Sequence, residues 1–195
     1  MKKSFLVLLV LLTLTGCKKN LKEYSNPLVE SLPLASLKGY VDVPSSSNLV
    51  KKGDYEIADR LAENQGDFVL YFGFPKCPFC FDFFPVFYEV ADSYQVPVVY
   101  LNVAAIDESM GGNGASEYDP YFIIFMERYD VYLDYNENGE KELFMPFVLF
   151  IKQGEVVYSH IGTVDNHDAH VEPLSDAQKD KLKKILEKGF AKLLS

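Results

Sequence analysis

Residues 68–74, FVLYFGF, constrain this chain more than any other stretch, because they run straight into PKCPFCFDFFPVFYEV. Seven apolar residues in a row have strand length, and a strand with no polar face belongs in the middle of a sheet covered on both sides. Directly afterwards Cys80, Phe84, Phe87, Tyr88 and Ala91 recur at helical spacing down to about Tyr94. A helix is also expected over 54–65, with Asp54 at its N-cap and Ile57, Ala58, Leu61 and Ala62 on one face. A second apolar strand reads at 96–103, VPVVYLNV. The order helix, strand, helix, strand predicts an α/β layer and not an all-β sandwich.

The junction between the first apolar strand and its helix carries the chemistry. Cys77 stands where the strand ends, and Pro78 takes the favoured first helical position. Free N–H groups and partial positive charge at a helix N-terminus both stabilise a thiolate. Lys76 adds a further positive charge in sequence. Cys77 is thus expected as the attacking sulfur, exposed at the turn, with Cys80 one turn inward to resolve a mixed disulfide. A structural zinc site would need two more Cys or His ligands. There is no second CxxC, and His160, His167 and His170 cluster far away in HIGTVDNHDAH. An inert staple is the other alternative, but closing so small a ring constrains the unfolded chain little. The pattern favours redox chemistry over both.

The start of the chain reads as an address. MKKSFLVLLVLLTLTGC has a basic opening, a short apolar run and a small residue at the break, the pattern of a secretory signal. The apolar run is well short of the roughly 20 residues that span a bilayer. Leu14-Thr15-Gly16-Cys17 resembles a bacterial lipobox, which implies that Cys17 becomes an acylated, palmitate-bearing N-terminus. Lipoprotein anchoring to the outer face of the cytoplasmic membrane follows from that resemblance. Cys77 and Cys80 would then have only each other, in a disulfide-permissive compartment. The expected organisation is a signal peptide over 1–16, an anchor and tether over 17–48, and one domain over 49–195. A net charge of −9 argues against nucleic acid as a partner.

The remaining stretches read more locally. GYVDV (39–43) has the composition of a first strand, and the Gly- and Ser-rich segment 107–122 that of a loop. The first half of 120–133 leans to helix, and NENG (136–139) to a turn. LFMPFVLFI and EVVYSHIG read as two strands joined through Lys152-Gln153-Gly154. Ser175 with Gln178 forms a capping box opening a helix to about Leu194. Asp134, Asn136 and Asn138 alternate like ligands of a calcium loop, but position twelve is Met145 where a bidentate Glu belongs. Asp165, His167, Asp168, His170 and Glu172 are potential metal ligands without a defined geometry, and a solvated loop is the plainer reading.

Taken together, these motifs resemble the thioredoxin superfamily. The strand runs into PKCPFC, Pro85 falls where the active-site helix carries its kinking proline, and VVYLNV matches the following strand. MPFVLFIKQGEVVYSHIG is similar to the segment that carries the cis-proline, the closing hairpin and its glycine. The resemblance implies a thioredoxin-like α/β fold, with a central mixed sheet flanked by helices, and maps Met145-Pro146 onto the cis-proline loop that docks a substrate backbone. It implies thiol–disulfide oxidoreductase activity with Cys77, Cys80 and Pro146 central and Lys76, Pro78, Phe79 and Met145 supporting. No cofactor beyond the Cys77–Cys80 pair is expected, and no bound metal. The departures are informative. Tyr71 stands where thioredoxins keep a buried acid that shuttles protons, and Gly73 and Lys76 replace the usual tryptophans. The stretch 105–144 is longer than in a plain thioredoxin, which implies an inserted helix and loop near the site. In layout the chain looks most like membrane-anchored thioredoxin-like lipoproteins, including the bacteriocin-transport accessory proteins. Expected partners are protein thiol or disulfide clients, the membrane through Cys17, and a membrane electron donor or acceptor. The direction of electron flow stays open, and an adaptor module for a secretion system is the alternative class.

Overall fold

The computed structural model describes residues 24–109 and 119–195. The expected signal peptide and the acylated Cys17 lie outside the described residues. Five strands form the central sheet: β1 (Val50–Lys52), β2 (Phe68–Gly73), β3 (Val98–Asn102), β6 (Phe147–Lys152) and β7 (Glu155–Ile161), in the order β1-β3-β2-β6-β7. β1 and β2 both pair parallel to β3, whereas β2–β6 and β6–β7 are antiparallel, so the sheet is mixed. Among the described residues six helices accompany it: α1 (Pro27–Glu30), α2 (Tyr55–Glu63), α3 (Pro78–Tyr94), α4 (Val103–Ser109), α5 (Pro120–Arg128) and α6 (Asp176–Leu193). This is the arrangement expected, a central mixed sheet flanked by helices.

β2 is central, as an apolar run should be: every one of its residues is buried. Its alternation sorts two cores. Val69 and Tyr71 face α3 and α6 with Phe83, Phe87, Leu186 and Phe190. Phe68, Leu70 and Phe72 face α2 and α5 with Ala58, Leu61 and Phe125. Each large side chain so buried contributes about 1.5–3 kcal/mol of transfer free energy. α6 approaches β6 through Gly189, where a Cβ would lie 2.4 Å from Phe150. Arg128 of α5 reaches Asp59 of α2 at 2.5 Å and ties the longer segment to the sheet's second face.

Local signals set most boundaries. Asp54 accepts from the Ile57 N–H and opens α2. The Ser175–Gln178 capping box opens α6. Gln153 and Gly154, with φ of 52° and 81°, make the tight turn between β6 and β7. The expected insertion contains α4, α5, a short 3-10 turn at Asp130–Tyr132 and the hairpin of β4 (Asp134–Tyr135) with β5 (Lys141–Glu142). Helix begins directly at Val103, so the expected strand stops at Asn102 and the first part of the expected loop is helical.

Two expectations change before β1. The 39–43 stretch forms only an isolated bridge, and the first sheet strand is Val50–Lys52. Residues 24–48, read as tether, pack onto the domain: Val29, Ala35, Leu37 and Tyr40 are buried in its cores. Their spacing follows neither helical nor strand period, so no local pattern marks them. Asn26 holds this segment in place, capping α1 through Leu28 and Val29 and donating to the Asp67 carbonyl at 2.8 Å.

Candidate active site

Cys77 is the N-cap residue of α3. Its backbone is extended (φ −78°, ψ 118°), and its sulfur accepts the Cys80 N–H at 3.2 Å. Pro78 takes the first helical position and so removes one N–H that would otherwise lack a partner. Cys77 is half-buried and Cys80 fully buried, and both are free thiols. The expected asymmetry between them is therefore present, although Cys77 is less exposed than its turn position suggests.

Electrostatics sharpen the difference. Cys77 is lowered to about 7, first by the hydrogen bond from the Cys80 thiol and then by the backbone N–H groups of Cys80 and Phe79, with burial opposing. Cys80 is raised well above the ordinary thiol range, because it donates to Cys77 and is buried. Lys76 was expected to assist, yet it is exposed and the lowering comes from hydrogen bonds. Helix geometry, more than a neighbouring cation, accounts for the thiolate.

The Met145–Pro146 peptide is cis. Pro146 is buried, Met145 half-buried, and the Pro146 carbonyl accepts the Gly162 N–H at 2.8 Å. Because Phe72 pairs with Phe147 in antiparallel register, Pro146 enters β6 at the end of the sheet where β2 leaves for Cys77. The fold thus brings Cys77, Cys80 and the Met145-Pro146 step to one edge. Pro85 lies inside α3 as the resemblance implies.

Phe79, between the cysteines, meets the rings of His167 and His170 edge-on at 6.0 and 5.4 Å. The His167 side chain is buried. Its Nδ1 is 2.7 Å from Thr163 Oγ1, and its Nε2 is 3.1 Å from the Glu172 carbonyl and 3.3 Å from Asp82 Oδ2 on α3. His167 therefore latches the 163–173 loop against the active-site helix. In the other acidic loop, Asn136 Oδ1 accepts from the N–H groups of Asn138 and Glu140, which is turn chemistry. No grouping of three His, Cys, Asp or Glu suited to a metal occurs among the described residues.

The feature that sequence reading missed surrounds Cys80. Tyr71 is fully buried, and its hydroxyl and the Cys80 sulfur both lie against Gly73. Tyr40 Oη is 3.2 Å from Tyr71 Oη and 3.4 Å from Tyr100 Oη. Gly73 makes room for this contact, since a Cβ there would lie 2.5 Å from Tyr71 Oη and 3.1 Å from Cys80 Sγ. Only the unusual Tyr at 71 could have signalled it. Tyr40 sits in the supposed tether and had no reason to be noticed.

No family model matches the chain, and no curated protein matches it significantly. Among solved structures, it is similar to a thioredoxin from Aeropyrum pernix, with 18% identity and a TM-score of 0.36 over 57% of this chain and 74% of that one. Among the described residues, no helix is long and apolar enough to cross a membrane.

Proposed function

We propose that this chain is an extracytoplasmic, lipid-anchored thiol–disulfide oxidoreductase acting on secreted or envelope proteins. One observation carries the reading: two thiols three residues apart at a helix start, with Cys77 lowered to about 7 and Cys80 raised and buried behind it. A thiolate abundant near neutral pH attacks, and a protonated neighbour stays inactive until a mixed disulfide forms.

In the reductive direction Cys77 thiolate attacks a client disulfide, bonding to one sulfur and releasing the other as thiolate. Cys80 loses its proton and attacks Cys77 Sγ, forming the Cys77–Cys80 disulfide and expelling the second client sulfur. The client gains two electrons and the pair loses them. Oxidation of a client dithiol is the reverse. Because the hydrogen bonds stabilise Cys77 in its reduced, ionised form, they favour the dithiol and make the pair the stronger oxidant. Pro146, at the same edge, would meet the client backbone, and the half-buried Met145 and Phe79 would flank it. The lipid on Cys17 would hold this chemistry at the membrane, within reach of a membrane electron carrier.

The test is reduction of insulin disulfides by the full chain with dithiothreitol as electron source. Wild type should accelerate the reaction and Cys77→Ser should abolish the acceleration. Equal rates for the two would overturn the proposal.

A further inference from the structure

We propose that the hydroxyls of Tyr71, Tyr40 and Tyr100 form a proton relay, carrying the proton of the buried Cys80 thiol toward a cavity beside β1 and β3. This deepens the disulfide-exchange reading and rests on it. The problem it addresses is steric: Cys80 must lose a proton to attack, yet it has no exposed surface. The groups that shift its pKa are the Cys77 sulfur, the Phe74 backbone and the Tyr71 hydroxyl, and among the described residues none of these is a carboxylate, ammonium or imidazole.

Three separate elements supply the phenols: the segment before β1, β2 and β3. Their oxygens meet at 3.2 and 3.4 Å inside an aromatic core. Neighbouring positions use phenylalanine. Phe83 stacks on Tyr71 at 5.8 Å and Phe84 on Tyr40 at 4.3 Å. Phenylalanine at 40, 71 and 100 would fill nearly the same volume without burying three hydroxyls, which costs free energy unless they are bonded. All three phenols are held neutral by burial, Tyr100 pushed up to about 12 and the others further. A neutral hydroxyl donates and accepts at once, so a chain of them can shift protons in concert without charging any link.

Tyr100 lines a cavity of about 570 Å³ shared with Lys52, Asp54, Asn102 and Tyr121. Polar and apolar groups both line that space, and it is far larger than one water requires. In the mixed disulfide Cys77 is no longer a thiolate, so the Cys80 S–H turns to the Tyr71 oxygen, and its proton passes there as Cys80 attacks. The Tyr71 proton passes to Tyr40, that of Tyr40 to Tyr100, and that of Tyr100 to water in the cavity. Cys80 bonds to Cys77 Sγ, the Cys77–client bond breaks, and the leaving client thiolate takes its proton from solvent. The three tyrosines end unchanged.

The experiment uses the full chain in detergent with Cys17→Ser, so that Cys77 and Cys80 are the thiols that react. The reduced protein is mixed with dithionitrobenzoate under stopped flow. Attack by Cys77 releases one thionitrobenzoate, and resolution by Cys80 releases the second. Tyr71→Phe should slow the second release at least about tenfold while the first keeps its rate. Tyr40→Phe, one link further out, should slow the same phase. The solvent deuterium isotope effect on that phase should fall in both, which a packing role would not produce. A second release in Tyr71→Phe with the parent's rate and isotope effect overturns the relay. A slowed Tyr71→Phe beside an unaffected Tyr40→Phe confines the role to Tyr71 and also overturns it. Absence of the first release in the parent protein would instead sink the disulfide-exchange reading, and the relay with it.

Discussion

Gly73→Ala tests whether the contact between Tyr71 and Cys80 is built into the core or incidental to it. The backbone at 73 is not in the left-handed region, so alanine meets no conformational barrier there. The added Cβ would lie 2.5 Å from Tyr71 Oη, 2.8 Å from Tyr71 Cζ and 3.1 Å from Cys80 Sγ. Ordinary contact is about 3.5 Å, so the phenol would have to retreat by roughly 1 Å. It has no room to do so. Tyr71 is fully buried, with the rings of Phe84, Phe87 and Tyr100 at 5.0, 5.4 and 5.3 Å. Overpacking of this kind costs about 1–3 kcal/mol. The smaller unfolded-state entropy of alanine returns about 0.4–1 kcal/mol. The net expectation is a loss of about 1–2 kcal/mol, or a Tm lower by about 2–8 °C for a chain of this size. Thermal unfolding of reduced Gly73→Ala against wild type measures it. Adding Tyr71→Phe removes the shortest contact, so the two substitutions should couple favourably by about 0.5 kcal/mol or more. A Gly73→Ala protein as stable as wild type, or strict additivity with Tyr71→Phe, would refute the packing argument.

Three further outcomes are expected. Alkylation of Cys77 by iodoacetamide should rise with pH through a midpoint near 7 and fall about tenfold per unit below it, because the thiolate is the nucleophile and its pKa is lowered; a midpoint at the ordinary thiol value near 8.5 would contradict the hydrogen-bonded thiolate. Asn26→Ala should cost about 2 kcal/mol in urea unfolding, since it removes a helix cap and the bond to the Asp67 carbonyl; no loss would mean that residues 24–48 are not part of the folded unit. His167→Ala should destabilise by about 1–3 kcal/mol through the partners left unpaired at the Thr163 hydroxyl and the Glu172 carbonyl, and should speed proteolysis within 163–173; resistance equal to wild type would refute the latch.

Much of the framework is legible locally. The seven-residue apolar run had to be a central strand, because nothing polar in it could face water. Asp54, Pro78 and Ser175 mark helix starts because each answers a need of the first turn, an orphan N–H or a fixed φ. The CPFC junction announces its chemistry for the same reason: cap geometry is local, and so is the lowering of Cys77. Less legible was the stretch before β1. Leu37 and Tyr40 are buried by contacts far along the chain, and irregular backbone carries no periodic signature.

From sequence alone came the α/β layering, the helix-capped thiol, the asymmetry between Cys77 and Cys80, and the expectation of a lipid at Cys17. Tertiary structure decided what surrounds Cys80. Tyr40, Tyr71 and Tyr100 lie 31 and 60 residues apart in their two contacts, and only the stacking of the early segment over β2 and β3 brings their oxygens together. It also explained Gly73, whose missing side chain matters because of a phenol two residues earlier and a sulfur seven residues later. Caps and periodicity act over one turn or one strand, so a sequence displays them openly. A hydrogen-bonded cluster assembled across a sheet becomes visible only once the chain has closed on itself.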